Sequence, residues 1–144
     1  MAKARQVVAA SIHAFNAHDE RLLRALYADD VVFHGPGDTR LVGVDATVEH
    51  AMGWLRAFPD ARLRIHGEVA EGDWVAQRIV FEGTHEDTLD GPEGPIPATH
   101  RRLRIEAMEF CRVRDGRVVE EHLCFDQVQL LTQLGVTPEL ATQA

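Results

Sequence analysis

Apolar and polar side chains alternate along four long stretches in the second half of the chain, 61–71, 73–85, 99–114 and 116–126. A period of two is the mark of β-strands, and four strands of this length point to one continuous sheet. "EGD" at 71–73 and "RDG" at 114–116 are tight turns, the second with an Asp-Gly pair, so the strands form two hairpins. Between them "HEDTLDGPEGPIPAT" (85–99) carries three prolines and two glycines and reads as a loop. Loops this long in a compact domain are often functional.

The first half has a different period. Val8, Ile12 and Phe15 recur at helical spacing over 3–18, widened by Val7 and Ala14. Asp19 is placed to cap a short second helix carrying Leu22, Leu23, Leu26 and Tyr27. "VVFHG" (31–35) is a short strand, and "GPGD" a turn. Asp45 opens a third helix with Val48, Ala51, Met52 and Leu55 on one face and Trp54 and Phe58 beside it; Pro59 ends it. A last helix, 127–134, is stopped by Gly135 and Pro138.

Helices followed by an antiparallel meander define an α+β domain, and 144 residues suffice for one domain, 1–144, with one core. Long strands twist, so the expected architecture is a cone-shaped curved antiparallel sheet with the N-terminal helices covering its open side around a small-molecule pocket. A formal net charge of -8 argues against nucleic acid, whose phosphates need clustered Lys and Arg, and against a membrane surface. The N-terminal helix does not read as a signal peptide, no apolar run is long enough to span a bilayer, and Cys111 and Cys124 lack metal-type spacing; a cytoplasmic protein is expected. No pair of the eight histidines has tight ligand spacing, so no metal is expected.

Side-chain alternation divides each strand into two sets. The even-numbered set mixes apolar residues with Arg78, Glu106, His122 and Asp126, while the odd-numbered set is more uniformly apolar. A ligand cavity needs apolar walls with a few polar groups, which assigns the even set to the pocket and leaves the odd face for a second subunit, in a homodimer or higher homo-oligomer. A one-residue bulge would reverse part of this assignment.

Three segments carry a resemblance: "FPDARLRIHGEVAEGDWVAQRIVFEGTH" (58–85), "RRLRIEAMEFCRVRDGRVVEEH" (101–122) and "FDQVQLLTQLG" (125–135). Together they resemble the SnoaL-like polyketide cyclases, whose fold is shared with ketosteroid isomerases and nuclear transport factors. The resemblance implies acid/base chemistry without metal or organic cofactor, in which an aspartate matching Asp126 drives an intramolecular aldol ring closure. The histidine accompanying it would fall near Cys111 or Arg112, and His122, on the Asp126 face, is its candidate substitute. A weaker resemblance to limonene epoxide hydrolases places Arg78 and Asp126 on two members of an Asp-Arg-Asp site whose third member falls at Val80.

The expected function is therefore cofactor-independent chemistry on a bulky apolar carbonyl compound, with Asp126 moving a proton and Arg78 or His122 steadying the oxyanion. Phe15, Tyr27, His34, Trp54, Glu106, Met108, Phe110 and Cys124 are the expected substrate-contacting residues. Two alternatives stay open: epoxide hydrolysis by an Asp126-activated water, and a non-catalytic binding module in which Asp126 is only a helix cap.

Overall fold

A computed structural model describes residues 3–136. The elements run α1 (Ala4–Asn16), α2 (Glu20–Leu26), β1 (Tyr27–His34), β2 (Arg40–Val42), α3 (Val44–Ala57), β3 (Arg62–Glu71), β4 (Trp74–Thr84), β5 (Leu89–Gly91), β6 (Gly94–Ile96), β7 (Arg102–Arg114), β8 (Arg117–Phe125) and α4 (Gln127–Gln133).

Local chemistry sets most of these boundaries. The Asp19 side chain accepts a hydrogen bond from the Leu22 backbone N–H at 2.9 Å and so starts α2. Gly43, at φ 96°, turns the chain into α3, which begins at Val44, one position ahead of the expected Asp45; Asp45 lies in the first turn and pairs with Arg24. The β7–β8 turn has Asp115 and Gly116 both at positive φ, as a two-residue hairpin turn requires. Strand β2 and the small β5–β6 hairpin are additional to the sequence reading, and the hairpin replaces part of the expected 85–99 loop. Pro138, the expected second stop of α4, lies outside the described residues.

Six strands form one sheet in the order β2-β1-β8-β7-β4-β3. The expected cone-shaped, all-antiparallel sheet is corrected on two counts. The sheet is open and not strongly curled, with β2 and β3 as unpaired edges, and β1 joins β8 in parallel. Strand length supplies twist, but closure needs edges that can pair. Here one edge is a three-residue strand and the other runs ten residues on the far side of the sheet.

Helices α1, α2 and α3 cover one face. Strand β7 shows that face plainly: Leu103, Ile105, Ala107, Glu109, Cys111 and Val113 are buried, and their even-numbered neighbours are not. Two apolar clusters result. One joins Val7, Val8, Leu23, Val31 and Val48 to Val75, Val113 and Val118; the other joins Leu55 and Phe58 to Phe81, Leu103, Ile105, Leu130 and Leu134. Phe58 anchors the second. Its ring is 5.2 Å from Phe81 and 5.3 Å from His85, and a Cβ at Gly83 would come within 3.0 Å of its own Cβ. Buried His85 in turn holds the connecting loop: its Nδ1 accepts from the Thr99 backbone N–H at 3.2 Å, and its backbone brackets the loop through Arg101 and His100.

Phe58 is fully buried where helix, sheet and loop meet. Phe58→Ala is expected to cost about 3–5 kcal/mol in urea unfolding, the range for a truncated core aromatic.

Candidate functional site

A cavity of about 100 Å³ lies between the helices and the covered face of the sheet. Phe15 from α1, Tyr27 and Phe33 from β1, Trp54 from α3, Phe81 from β4 and Phe125 from β8 supply the aromatic part of its wall. Glu109 and Glu121 also line it, with Ser11, Thr47 and His50 as the other polar side chains. This wall is apolar because the helices need an apolar surface to pack on, and the two glutamates interrupt it.

Both glutamates reach the cavity through strand register. Glu109 is on the inward set of β7. In β8 an irregularity falls between the pairs Arg112↔Glu120 and Val113↔Val118. It shifts the alternation by one, so Val118 and Glu121 both point inward although their numbers differ in parity. Glu121 then sits opposite Cys111, and Tyr27 enters from the start of β1 opposite Val118.

The four side chains form one hydrogen-bonded cluster. The Tyr27 hydroxyl donates to Glu121 Oε1 and Oε2 at 3.1 and 3.2 Å. The Cys111 thiol donates to Glu109 Oε1 at 3.1 Å and lies 3.8 Å from Glu121 Oε1. One ligand-type atom from each of Glu109, Cys111 and Glu121 lies within 4.8 Å of the others. Burial, and after it the nearby Glu109, pushes the Glu121 carboxyl well above the ordinary glutamate value. Burial raises Glu109 as well, partly opposed by the Cys111 hydrogen bond. Burial and the two carboxyls also raise Tyr27 and Cys111 well above their usual ranges.

Two carboxyls this close in a dry site do not both ionise readily, so the pair retains a proton at a pH where a free glutamate has lost it. One carboxyl is then an acid while the other is a base, and they titrate as a unit. The same three residues could offer oxygen and sulfur ligands to a cation, at the expense of the protons they hold. His50, on α3, is the remaining titratable side chain in the wall; burial lowers its pKa, against a smaller opposing effect of Asp90.

The residues proposed from sequence divide between the two faces of the sheet. Phe15, Tyr27 and Trp54 line the inner cavity. His34, Arg78, Met108, Phe110, His122 and Cys124 line a second, open groove on the outer face, whose wall also includes Glu109 and Leu123 of the inner cavity. There His34 stacks on His122 at 4.4 Å, His122 Nε2 is 2.6 Å from Glu120, and Arg78 pairs with Glu106 at 3.7 Å with both half exposed. Asp126 is exposed and caps α4, accepting from the Gln129 N–H at 3.1 Å.

The assignment of the even set to an enclosed pocket is therefore corrected. That set is mixed because it faces solvent, where Arg102 and Arg104 pair with Glu82. The odd set is apolar because the helices cover it. Glu109, Glu121 and His50 were missed as site residues. The available signal was a glutamate standing among Leu103, Ile105, Ala107 and Cys111 on one strand face: a charge in an apolar row.

The sheet and helices of this α+β domain thus surround an acid-lined apolar cavity, the form that small-molecule sites commonly take. Residues 5–134 match the model of the SnoaL-like polyketide cyclases, and the chain belongs to that family. Among solved structures it is similar to IdmH of Streptomyces antibioticus, a candidate polyketide cyclase, at 33% identity over 94% of this chain and 100% of that one, TM-score 0.79. It is also similar to AclR of Streptomyces galilaeus, a candidate hydroxylase, at 28% identity over 94% and 97% of the two chains, TM-score 0.79. An LEH-like epoxide hydrolase of M. tuberculosis shares the fold at 21% identity over 91% and 88%, TM-score 0.71. Among curated proteins no sequence matches. No helix among the described residues is long and apolar enough to cross a membrane.

The raised carboxyls make stability depend on pH in a definite direction. Each holds its proton more tightly in the fold than in the unfolded chain. Their contribution is complete below the ordinary value near 4.5 and is lost as pH rises through the raised values. Glu109→Gln/Glu121→Gln removes this loss. Its Tm relative to the parent is expected to increase steadily from pH 5 to pH 8, which differential scanning fluorimetry across that range checks.

Proposed function

We propose that this protein is an enzyme that moves a proton at the carbon next to a carbonyl in an apolar small molecule, with the Glu109–Glu121 pair as acid and base. The observation that carries this reading is the placing of two buried carboxyls, with titratable atoms within 4.8 Å, in the wall of an apolar cavity. The ionised member removes the Cα proton, and the protonated member donates to the carbonyl oxygen as the enol forms. Where the substrate is unsaturated, delivery of the removed proton to the far carbon of the dienol, with the enol O–H returning its proton to the other carboxyl, completes an isomerisation. Attack of the enol carbon on a second carbonyl of the same molecule, whose oxygen takes the proton that the first carboxyl removed while the enol O–H returns its proton to the other carboxyl, completes an aldol ring closure. The Tyr27 hydroxyl donates to Glu121 and steadies its ionised form, and burial raises both carboxyls so that the pair keeps a proton to transfer.

Membership of a cyclase family and likeness to candidate cyclases and hydroxylases support small-molecule chemistry without choosing the reaction. The role inferred for Asp126, with Arg78 and His122, is the rival assignment within the same chemistry. Deuterium uptake at the α-carbon of simple ketones separates the two. Glu121→Gln is expected to lower exchange by about 10²- to 10⁴-fold, the usual worth of a general acid or base. Asp126→Asn is expected to keep exchange within a factor of two and to lower stability by up to about 1 kcal/mol through the weakened cap. The reverse pattern returns the role to Asp126. Loss in neither variant, with ligand still bound, makes the protein a binding module.

The partner proposed for the outer groove is a second copy of the chain. Val69, Met108 and Phe110 stand 70%, 54% and 44% exposed there, an apolar surface that favours cover. Arg78 and Glu106 put both charge signs on the same patch, so a two-fold copy can set each against its opposite. Phe110→Asp is expected to convert a dimer to a monomer in light scattering at micromolar protein; an unchanged mass rules this surface out as the contact.

A further inference from the structure

We propose that Gln77 fixes the shared proton of the acid–base pair on Glu109: its side-chain oxygen accepts the Glu109 O–H and leaves Glu121 as the base. This rests on the acid–base reading above and assigns the two roles within it, with Gln77 as a positioning residue.

Gln77 stands directly opposite Glu109 in the pairing of β4 with β7, and both are buried on the covered face. Side chains placed in this way lie about 4.5–5.5 Å apart at Cβ, close enough for a carboxamide and a carboxyl to meet. Gln77 is 3% exposed, so its amide has to find partners within the protein. Its Nε2 donates to Glu68 Oε2 at 2.8 Å, and Glu68 is held in turn by Arg5 of α1 at 2.7 Å. That donation fixes which end of the amide faces β3. The other end, Oε1, is buried and has no hydrogen-bond partner among the described residues.

The neighbouring side chains leave one source for the missing donor. Val75 and Ile79 beside Gln77 on β4, and Ala107 on β7, carry no polar hydrogen. Glu68 is an acceptor, and the Cys111 thiol already donates to Glu109 Oε1. Glu109 meets the need when it holds the proton of the pair. The same placement suits Glu121. Its two oxygens lie 3.1 and 3.2 Å from the Tyr27 hydroxyl, a stronger donor than the thiol that faces Glu109, and a donor favours the ionised form. Burial raises both carboxyls, and the repulsion between them acts on each alike. Hydrogen bonds therefore decide which of the two keeps the proton they share.

The test reads the protons directly. In chelator-treated protein with carbon-13-labelled glutamate, the side-chain carboxyl resonances of Glu109 and Glu121 are followed by NMR across the titration of the pair. Glu109→Gln and Glu121→Gln assign them. While the pair holds one proton, Glu109 is expected to read as carboxylic acid and Glu121 as carboxylate. Gln77→Met keeps the volume and removes the acceptor. It is expected to lower the Glu109 titration by about one pH unit, a tenfold loss of proton affinity. Glu68→Ala serves if that variant does not fold: the freed amide can turn its N–H₂ towards Glu109, which shifts the titration in the same direction. A proton found on Glu121, or a Glu109 titration unmoved in a folded variant, overturns the proposal and leaves Gln77 a packing residue. Deuterium exchange at the α-carbon of ketones reports separately on the acid–base reading. Glu109 protonated in a protein that exchanges nothing refutes that reading and keeps the place of the proton. Exchange with the proton on Glu121 keeps the reading and overturns the assignment of roles. The alkaline limb of the exchange profile, set by loss of the acid's proton, is expected to move to lower pH by about the same one unit in Gln77→Met.

Discussion

The costliest feature of this structure is a pair of carboxyl groups in a layer built to exclude water. Burying even one ionised carboxylate is unfavourable by several kcal/mol unless it is paired, and the cluster contains no cation among the described residues. Protons and hydrogen bonds do the compensating. One proton shared by the pair halves the charge to be buried, and the Tyr27 hydroxyl and Cys111 thiol occupy lone pairs that water would otherwise hold. Such a cluster persists only where the surrounding packing contributes more stability than the cluster removes. Val31, Val48, Val75 and Val118, all essentially inaccessible, supply that packing.

The geometry of the pair follows from how the sheet is assembled. Regular alternation along β8 would carry either Val118 or Glu121 inward, never both. The irregularity beside Val118 places an apolar residue under α1 and α2 and a glutamate under the cavity on the same strand. Parallel docking of β1 then delivers Tyr27 beside Glu121, from a residue 94 positions away in sequence. The open sheet matters here too. With no closure to satisfy, the covered face is free to be filled by helices, and the exposed face is free to carry the ion pairs of Arg78, Arg102 and Arg104.

This explains what was legible in the sequence and what was not. The strands of the two hairpins, the helices and the family were readable because they depend on periodicity, caps and turn residues that act locally: Asp19, Asp115 with Gly116, and Asp126 before α4. Strand β2 was hidden because three residues are too few for a period, and the β5–β6 hairpin because its prolines read as breakers. The inward face was misjudged because mixed polarity describes a solvated sheet face as well as a ligand pocket. Only knowledge of which face the helices cover separates the two, and that is a long-range fact. Asp126 shows the same divide. Its role as a cap is written in the residues beside it, whereas its position relative to the cavity depends on which face of the sheet the helices had chosen.

A charge in an apolar row is the more reliable sign of function because it contradicts the local pattern. Glu109 lies on β7 among residues selected for burial, and a leucine there would pack without the desolvation it suffers. Retaining one such glutamate could reflect a chance pairing; retaining two from different strands, converging with a tyrosine on a cavity of about 100 Å³, requires register, bulge and strand order all to agree. Stability alone does not reward that agreement, since apolar replacements of similar volume generally match or exceed a buried ionisable cluster. The proton transfer proposed for this pair would reward it, because a site that keeps an acid and a base together needs the same burial and close approach that make the pair unfavourable to the fold.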